Sequence, residues 1–95
     1  MRWNVLVVDD VARCYEKLAL TEPETADHIH DAVELLAAEG PGLGRPLVDT
    51  VRGTARRDMK ELRPRPDGGS GVRILFVVDP TRHTLTLVAG DKVGG

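Results

Sequence analysis

Apolar positions at the start of the chain predict one short strand followed by a helix. The run Val5-Leu6-Val7-Val8 is rich in β-branched residues, and the pair Asp9-Asp10 that closes it is typical of a helix N-cap. Apolar residues then recur at three- and four-residue spacing, namely Val11, Cys14, Tyr15 and Leu18. This spacing predicts a short amphipathic helix.

A second helix has sequence signals at both of its ends. Thr21 and Glu24 have the spacing of a capping box, and Pro23 fits a first helical turn because the N–H it lacks has no partner there. Gly40 and Pro41 end the helix, since glycine accepts a positive φ and proline cannot continue the helical hydrogen bonds. Between these ends runs an apolar stripe of Ala26, Ile29, Val33, Leu36 and Ala37. The two helices are expected to form an antiparallel hairpin.

The second half of the chain has the two-residue period of strands. Residues 40–57 are rich in glycine and proline, so we expect a loop there with one short extended piece around 47–51. Strands are predicted at 58–63, 72–78 and 84–89. Their connections are too short for parallel crossovers, so neighbouring strands should be antiparallel. The prediction is an α+β domain over residues 1–95 in the order β-α-α-β-β-β, with the helical hairpin on one face of an antiparallel sheet.

Composition narrows the class of protein. The 95 residues are 41% apolar but include only three aromatic side chains, which predicts one small domain with an aliphatic core. Apolar runs are too short to cross a bilayer, and no secretory signal is visible. The single cysteine, Cys14, excludes an internal disulfide and a cysteine-based zinc site. These features predict a cytoplasmic protein without a membrane partner.

The net charge of −2 conceals an uneven distribution along the chain. Residues 1–44 carry three basic and nine acidic groups, a net charge of −6, whereas residues 45–95 carry ten basic and six acidic groups, a net charge of +4. A basic half of this kind suggests a surface that faces a polyanion. The other interpretation is that the charges of ordinary solvated faces are distributed unevenly.

One arginine interrupts the most apolar predicted strand. Residues 72–78 are apolar at six of seven positions, and Arg73 is the exception, so this side chain needs an acidic partner, an exit to solvent or a phosphate ligand. On the preceding strand Glu61 and Arg63 share one face, while Lys60 lies on the other. Glu61, Arg63 and Arg73 therefore converge if the strands pair residues of equal parity, and a one-residue shift would separate them.

Further basic residues are candidates for the surroundings of this cluster: Arg52, Arg56, Arg57, Arg65 and Lys92. Guanidinium groups suit phosphate recognition because their planar forks bind two oxygens at once. The scarcity of aromatic residues argues against a platform for base stacking. His28 and His30 are two positions apart on a helix and point away from each other, so no metal site is predicted.

Four segments of the chain together resemble the HigB-like toxins of the RelE/ParE superfamily. They are GRPLVDTVRG (44–53), MKELRP (59–64), VRILF (72–76) and AGDK (89–92). The resemblance runs from about Trp3 to Lys92 and includes the order of elements. It implies a RelE-like fold and a compact ribonuclease that acts on messenger RNA in the ribosomal A site. It also implies a cognate helix-turn-helix antitoxin, HigA-like, as a partner.

The resemblance assigns roles to individual positions. Arg73 matches the arginine thought to stabilise the scissile phosphate, and Arg63 matches a basic site position. Glu61 stands at another active-site position, where family members often carry a basic residue. Cleavage needs a base for the attacking 2′-hydroxyl and an acid for the leaving 5′ oxygen. Glu61 is the candidate base and Lys92, or a residue outside the chain, the candidate acid; Lys60 is a further RNA-binding candidate. The nucleophile is internal to RNA, so no cofactor or metal is required.

The sequence is compatible with two other functions. A ParE-like toxin shares the fold but inhibits gyrase by binding it, and an inactive toxin would serve only as an antitoxin-binding module. Similar toxins continue past the Gly90-Asp91-Lys92 segment with a stretch that contains tryptophan and tyrosine. The resemblance therefore implies that the 95-residue form is weakly active or inactive, and that it self-associates or binds a partner across the surface beside its last strand.

Overall fold

The computed structural model describes residues 2–51, 58–65 and 71–92, and it confirms the predicted α+β arrangement of two helices on a sheet. The elements in chain order are β1 (Asn4–Val7), α1 (Asp9–Thr21), α2 (Pro23–Glu39), a 3₁₀ turn (Gly40–Leu43), β2 (Val48–Thr50), β3 (Met59–Leu62), β4 (Val72–Asp79) and β5 (Thr84–Lys92). Neither described helix is long and apolar enough to cross a membrane.

The sheet differs from the prediction in two respects. Its order is β1-β5-β4-β3-β2, and β1 pairs parallel to β5, with Val5 opposite Leu85. A fully antiparallel sheet was therefore the wrong expectation. Short connections force antiparallel pairing only between strands that they join directly, and β1 and β5 are separated in the chain by all the other elements of the fold. The extended piece predicted at 47–51 forms β2, a fifth strand paired antiparallel with β3. The remaining pairs are antiparallel, as predicted.

The core lies between the helical hairpin and one face of the sheet. Val72, Ile74 and Phe76 alternate along β4 as its buried positions, and Phe76 is fully buried together with Leu36 of α2. Arg73 between them is exposed, and Leu75 is only partly buried. Only the helix-facing side of β4 is buried, although residues 72–78 are apolar at six of seven positions. The opposite face, called the open face below, carries the side chains of the functional site.

Pro23 begins α2 and Gly40 caps its end, as predicted, but the side-chain caps at the helix N-termini differ from the prediction. Asp9 and Asp10 lie inside the first turn of α1, where carboxylates favour the positive end of the helix dipole, and Val8 is the N-cap without a side-chain hydrogen bond. Thr21 is the last residue of α1, and its hydroxyl donates to the carbonyl of Lys17 at 2.9 Å. The predicted capping box is thus absent from α2, which begins at Pro23.

Gly40 caps the end of α2 and lies close to Trp3, the residue before β1. Its φ is +75°, and a Cβ atom there would collide with the indole of Trp3. Trp3 is held in place by a 2.8 Å hydrogen bond from its amide to Ala37 and by stacking on His83 at 4.0 Å between ring centroids. We expect Gly40→Ala to cost about 2 kcal/mol or more of unfolding free energy, measured by urea denaturation.

The matched control for that measurement is Gly42→Ala. A Cβ at Gly42 meets no atom within 4 Å, and its φ is not in the positive range. Its substitution should leave the urea midpoint nearly unchanged. Equal midpoints for the two variants would contradict a role for the close approach of Gly40 to Trp3.

Candidate functional site

The register of β3 against β4 brings the predicted residues onto one face. Glu61 pairs with Leu75 and Leu62 with Ile74, which is the equal-parity register that the sequence left open. Leu62 and Ile74 point into the core. Side chains alternate along a strand, so the odd-numbered positions next to them on β3 and β4 point to the open face. Glu61, Arg63 and Arg73 therefore share the open face.

The three side chains are in direct contact. Arg63 Nε donates a 2.5 Å hydrogen bond to Glu61 Oε1, and Arg73 Nη1 lies 3.7 Å from Glu61 Oε2. Glu61 has only 6% of its surface exposed, although it is on the open face. A carboxylate at that depth needs charged partners, and the two arginines supply them. Both guanidinium groups remain about half exposed, so they can also contact a ligand from solvent.

Asp49 on β2 extends this cluster, and sequence reasoning did not assign it a role. It pairs with Glu61 across the β2–β3 ladder. Its carboxylate lies 3.7 Å from Arg63 Nη2 through Oδ2 and 3.3 Å from Arg45 Nε through Oδ1. The signal was present in the alternation of Val48 and Asp49, because a buried apolar residue beside an acidic one is typical of a strand with one open face. Among the described side chains, three guanidiniums and two carboxylates give this cluster a net charge of +1.

The electrostatics of the cluster keep Arg63 charged. The hydrogen bond to Glu61, followed by the charge of the same carboxylate, raises the pKa of Arg63 above its ordinary value, with a smaller contribution from Asp49. Partial burial acts in the opposite direction and is outweighed. Arg63 is therefore a permanent cation at any physiological pH, as an anion-binding group requires.

The other predicted residues are only partly brought together. Lys60 pairs with the buried Phe76, so its position lies on the helix-facing side of β3, away from the cluster. Arg65 follows β3 and is partly buried. Lys92 is the last residue of β5, and its backbone pairs with Val72, while Asp91 takes the register position opposite Arg73. The loop arginines predicted to surround the site lie outside the described residues: Arg52, Arg56 and Arg57.

The arrangement is chemically suited to an anion with several oxygens. Arg63 and Arg73 approach one carboxylate from two sides, and a carboxylate resembles two oxygens of a phosphate in charge and spacing. The same carboxylate is the only buried acid among the described residues, and it can accept a proton from a group bound between the arginines. No group of three metal-ligating side chains is placed to hold a metal ion in the part of the chain that the structure describes.

Sequence comparisons match most of the chain to known proteins. Residues 16–95 match the family model of the Phage derived protein Gp49-like (DUF891). The putative toxin HigB2 of Mycobacterium tuberculosis is 51% identical over 85 residues, which cover 90% of this chain and 42% of that protein. The putative toxin HigB3 of the same organism is 51% identical over 63 residues, 66% of this chain and 53% of that protein. The chain thus spans about half the length of the curated relatives it matches.

Solved structures with the same fold are more distant in sequence. The chain superposes on the YoeB dimer structure from Staphylococcus aureus with a TM-score of 0.73 at 11% identity, over 94% of both chains. It superposes on a chain of the toxin–antitoxin complex RelBE2 from M. tuberculosis with a TM-score of 0.69 at 16% identity, over 100% of this chain and 95% of that one. The match of the family model to residues 16–95 establishes that the chain belongs to the Gp49-like family, and the two superpositions show that it has the fold of these solved structures.

Proposed function

We propose that this protein is the toxin of a type II toxin–antitoxin system and that it cleaves messenger RNA on the ribosome. The observation that carries the proposal is the pair Arg63 and Arg73 on either side of the buried Glu61 carboxylate, on the face of the sheet that the helices leave open. The names of the two close relatives, both putative toxins, support the same class of function.

In this proposal the two arginines hold the scissile phosphate. An RNA phosphate that enters from solvent replaces part of the Glu61 contact, and the more loosely held contact is the one to Arg73, at 3.7 Å. Negative charge grows on the non-bridging oxygens as the phosphorus becomes five-coordinate. Cations that are already in position stabilise this charge without reorganisation, which is the largest catalytic contribution available to such a site.

Glu61 is then the base. The 2′-hydroxyl next to the bound phosphate attacks the phosphorus, its proton passes to the carboxylate, and the P–O5′ bond breaks to leave a 2′,3′-cyclic phosphate. The leaving 5′ oxygen takes a proton from an acid, for which Lys92 or a ribosomal group is the candidate. The basic residues that the sequence predicts around the site would contact neighbouring phosphates: Arg52, Arg56, Arg57 and Arg65.

The proposed partners are messenger RNA on the ribosome and a helix-turn-helix antitoxin. One fold neighbour was solved as a toxin–antitoxin complex, which supports an antitoxin as the class of partner. Neutralisation would require the antitoxin to cover the open face or to displace the arginines from Glu61. A toxin that acts on ribosomes would work in the cytoplasm.

The proposal predicts that induced expression stops translation through site-specific cleavage. Messenger RNA mapped by primer extension should show new 5′ ends within translated codons, and the purified protein should create the same ends only when ribosomes are present. The natural control is co-expression with the protein encoded by the neighbouring reading frame, which should suppress both effects.

A gyrase supercoiling assay distinguishes the rival activity. Inhibition of supercoiling without new mRNA ends would replace the nuclease by a ParE-like gyrase inhibitor. Binding to the antitoxin without either effect would reduce the protein to an antitoxin-binding module. Either result contradicts the role proposed for the Arg63–Glu61–Arg73 cluster.

A further inference from the structure

The strand at one edge of the sheet lacks the features that usually prevent edge pairing. β1 is the terminal strand in the order β1-β5-β4-β3-β2, and its four residues contain no charge, proline or bulge. Leu6 is 56% exposed on the open face and Val7 is 46% exposed, so the strand also presents apolar side chains. Proteins that leave such an edge accessible commonly pair it with another strand.

Hydrogen bonds to β5 show which backbone groups of β1 face outward. The amide of Asn4 donates to the carbonyl of His83, in the turn before β5, at 3.0 Å. The amide of Val8 donates to the carbonyl of Leu87, in β5, at 3.2 Å. In a parallel ladder the N–H and C=O of one residue point to the same neighbour, so even-numbered positions face β5. Val5 and Val7 therefore direct their N–H and C=O groups outward, where the described residues place no strand.

These directions select one register for pairing between two copies. An antiparallel ladder exchanges both hydrogen bonds only between residues that face each other. Around a two-fold axis, both bonds are exchanged when Val5 of one copy lies opposite Val7 of the other. This register uses the outward-facing N–H and C=O groups of both valines in both copies. Leu6 then lies opposite Leu6 of the second copy, as a non-hydrogen-bonded pair whose side chains are close together.

Two further features fit that register. A groove of about 450 Å³ runs between β1 and α2. Its lining is mixed, with Arg2 and Glu34 beside Val33 and Ala37, so the helix-facing valines of an added strand would have apolar side chains of α2 to contact. The antiparallel arrangement also brings Arg2 of one copy toward Asp9 and Asp10 of the other. The present partners of Arg2 and Asp10 are exposed, so exchanging them costs little.

We propose that two copies of this chain associate through β1 to form a continuous ten-stranded sheet across a two-fold axis, with Val5 opposite Val7. The Arg63–Glu61–Arg73 cluster lies on β3 and β4, away from this edge, so both sites of the dimer stay open. The contact between two four-residue strands is smaller than a standard interface of about 1,600 Å². The dimer should therefore depend on concentration. The proposal does not rest on the nuclease function.

Sedimentation equilibrium on the full chain tests the association. The mass should rise with concentration from 10.3 kDa toward twice that value. Leu6→Lys places two like charges opposite each other and should weaken the dimer at least about tenfold. Leu20→Lys is the matched control, because Leu20 is 87% exposed at the far end of α1, and it should dimerise like the parent chain. Circular dichroism of each variant verifies folding.

Disulfide trapping tests the register. In a Cys14→Ser background, Leu6→Cys should form a covalent dimer on mild oxidation because the two residues face each other, whereas Asn4→Cys should not. A chain that stays monomeric at several hundred micromolar overturns the proposal. This holds also if the edge proves to pair with an antitoxin strand and not with a second copy. Equal trapping at positions 4 and 6, or a Leu6→Lys variant that dimerises normally, overturns it as well.

Discussion

Replacing Arg73 with alanine is expected to reduce ribosome-dependent mRNA cleavage by about a hundredfold to a thousandfold, which is the usual effect of removing one preorganised charge-stabilising group. The fold should tolerate the change. The side chain is 45% exposed, and Glu61 keeps its shorter hydrogen bond to Arg63 when Arg73 is removed. We expect the free energy of unfolding to fall by about 1 kcal/mol, because the buried Glu61 carboxylate keeps only one of its two cationic partners.

Two further variants sharpen this experiment. Arg82→Ala is the matched control, because Arg82 is an exposed arginine of the β4–β5 turn whose partner is Asp79, remote from the cluster along the same hairpin. It should leave cleavage unchanged. Arg73→Lys keeps the charge but loses the planar fork, so it should recover only part of the activity. If Arg73→Ala instead unfolds the protein, the arginine is chiefly a structural partner of Glu61.

Replacing Glu61 with glutamine is expected to lower the single-turnover cleavage rate by about a hundredfold or more, as loss of a general base does. Binding should respond in the opposite direction. The substitution removes one of the two negative charges that neutralise the cluster, so affinity for ribosomes carrying an mRNA with a 2′-O-methyl group at the cleavage position should be retained or increased. The stability cost should be about 1 kcal/mol, from the weakened hydrogen bond to Arg63.

A loss of cleavage without a loss of binding would distinguish a Glu61 carboxylate that acts as the base from one that only positions the arginines. Asp49→Asn is the control, because Asp49 contacts Arg63 and Arg45 without lying between the two central arginines. It should change cleavage by only a few fold. A Glu61→Gln variant that loses cleavage and binding in equal measure would show that the carboxylate only orders the arginines, and another group would then have to be the base.

The open face and the β1 edge give the molecule two separate surfaces for interaction. The first is charged and carries the candidate reaction, whereas the second is apolar and offers backbone hydrogen bonds. An apolar groove of about 370 Å³ also lies between α1, α2 and the ends of β4 and β5, lined by Tyr15, Val33 and Ile74. This groove is beside the last strand, where the sequence led us to expect a partner surface.

The helices and most of the strands were determined by local sequence patterns. Pro23 at the start of α2 and Gly40 at its end act within a single turn, and the apolar stripe between them repeats every three to four residues. All three signals can therefore be recognised without knowing the rest of the fold. The resemblance to HigB-like toxins also came from the sequence, because it depends on residue identities in order. Arg73 could likewise be recognised from the sequence as the polar exception on β4.

Only the tertiary structure decided which residues meet. Glu61, Arg63 and Arg73 form a cluster because β3 and β4 pair with equal parity, and a shift of one residue would have left every local pattern unchanged. The parallel pairing of β1 and the inclusion of Asp49 likewise depend on contacts between distant parts of the chain. Periodicity reports which way a side chain points within its own strand, but register is set by the packing of the whole sheet, and the site exists only through that register.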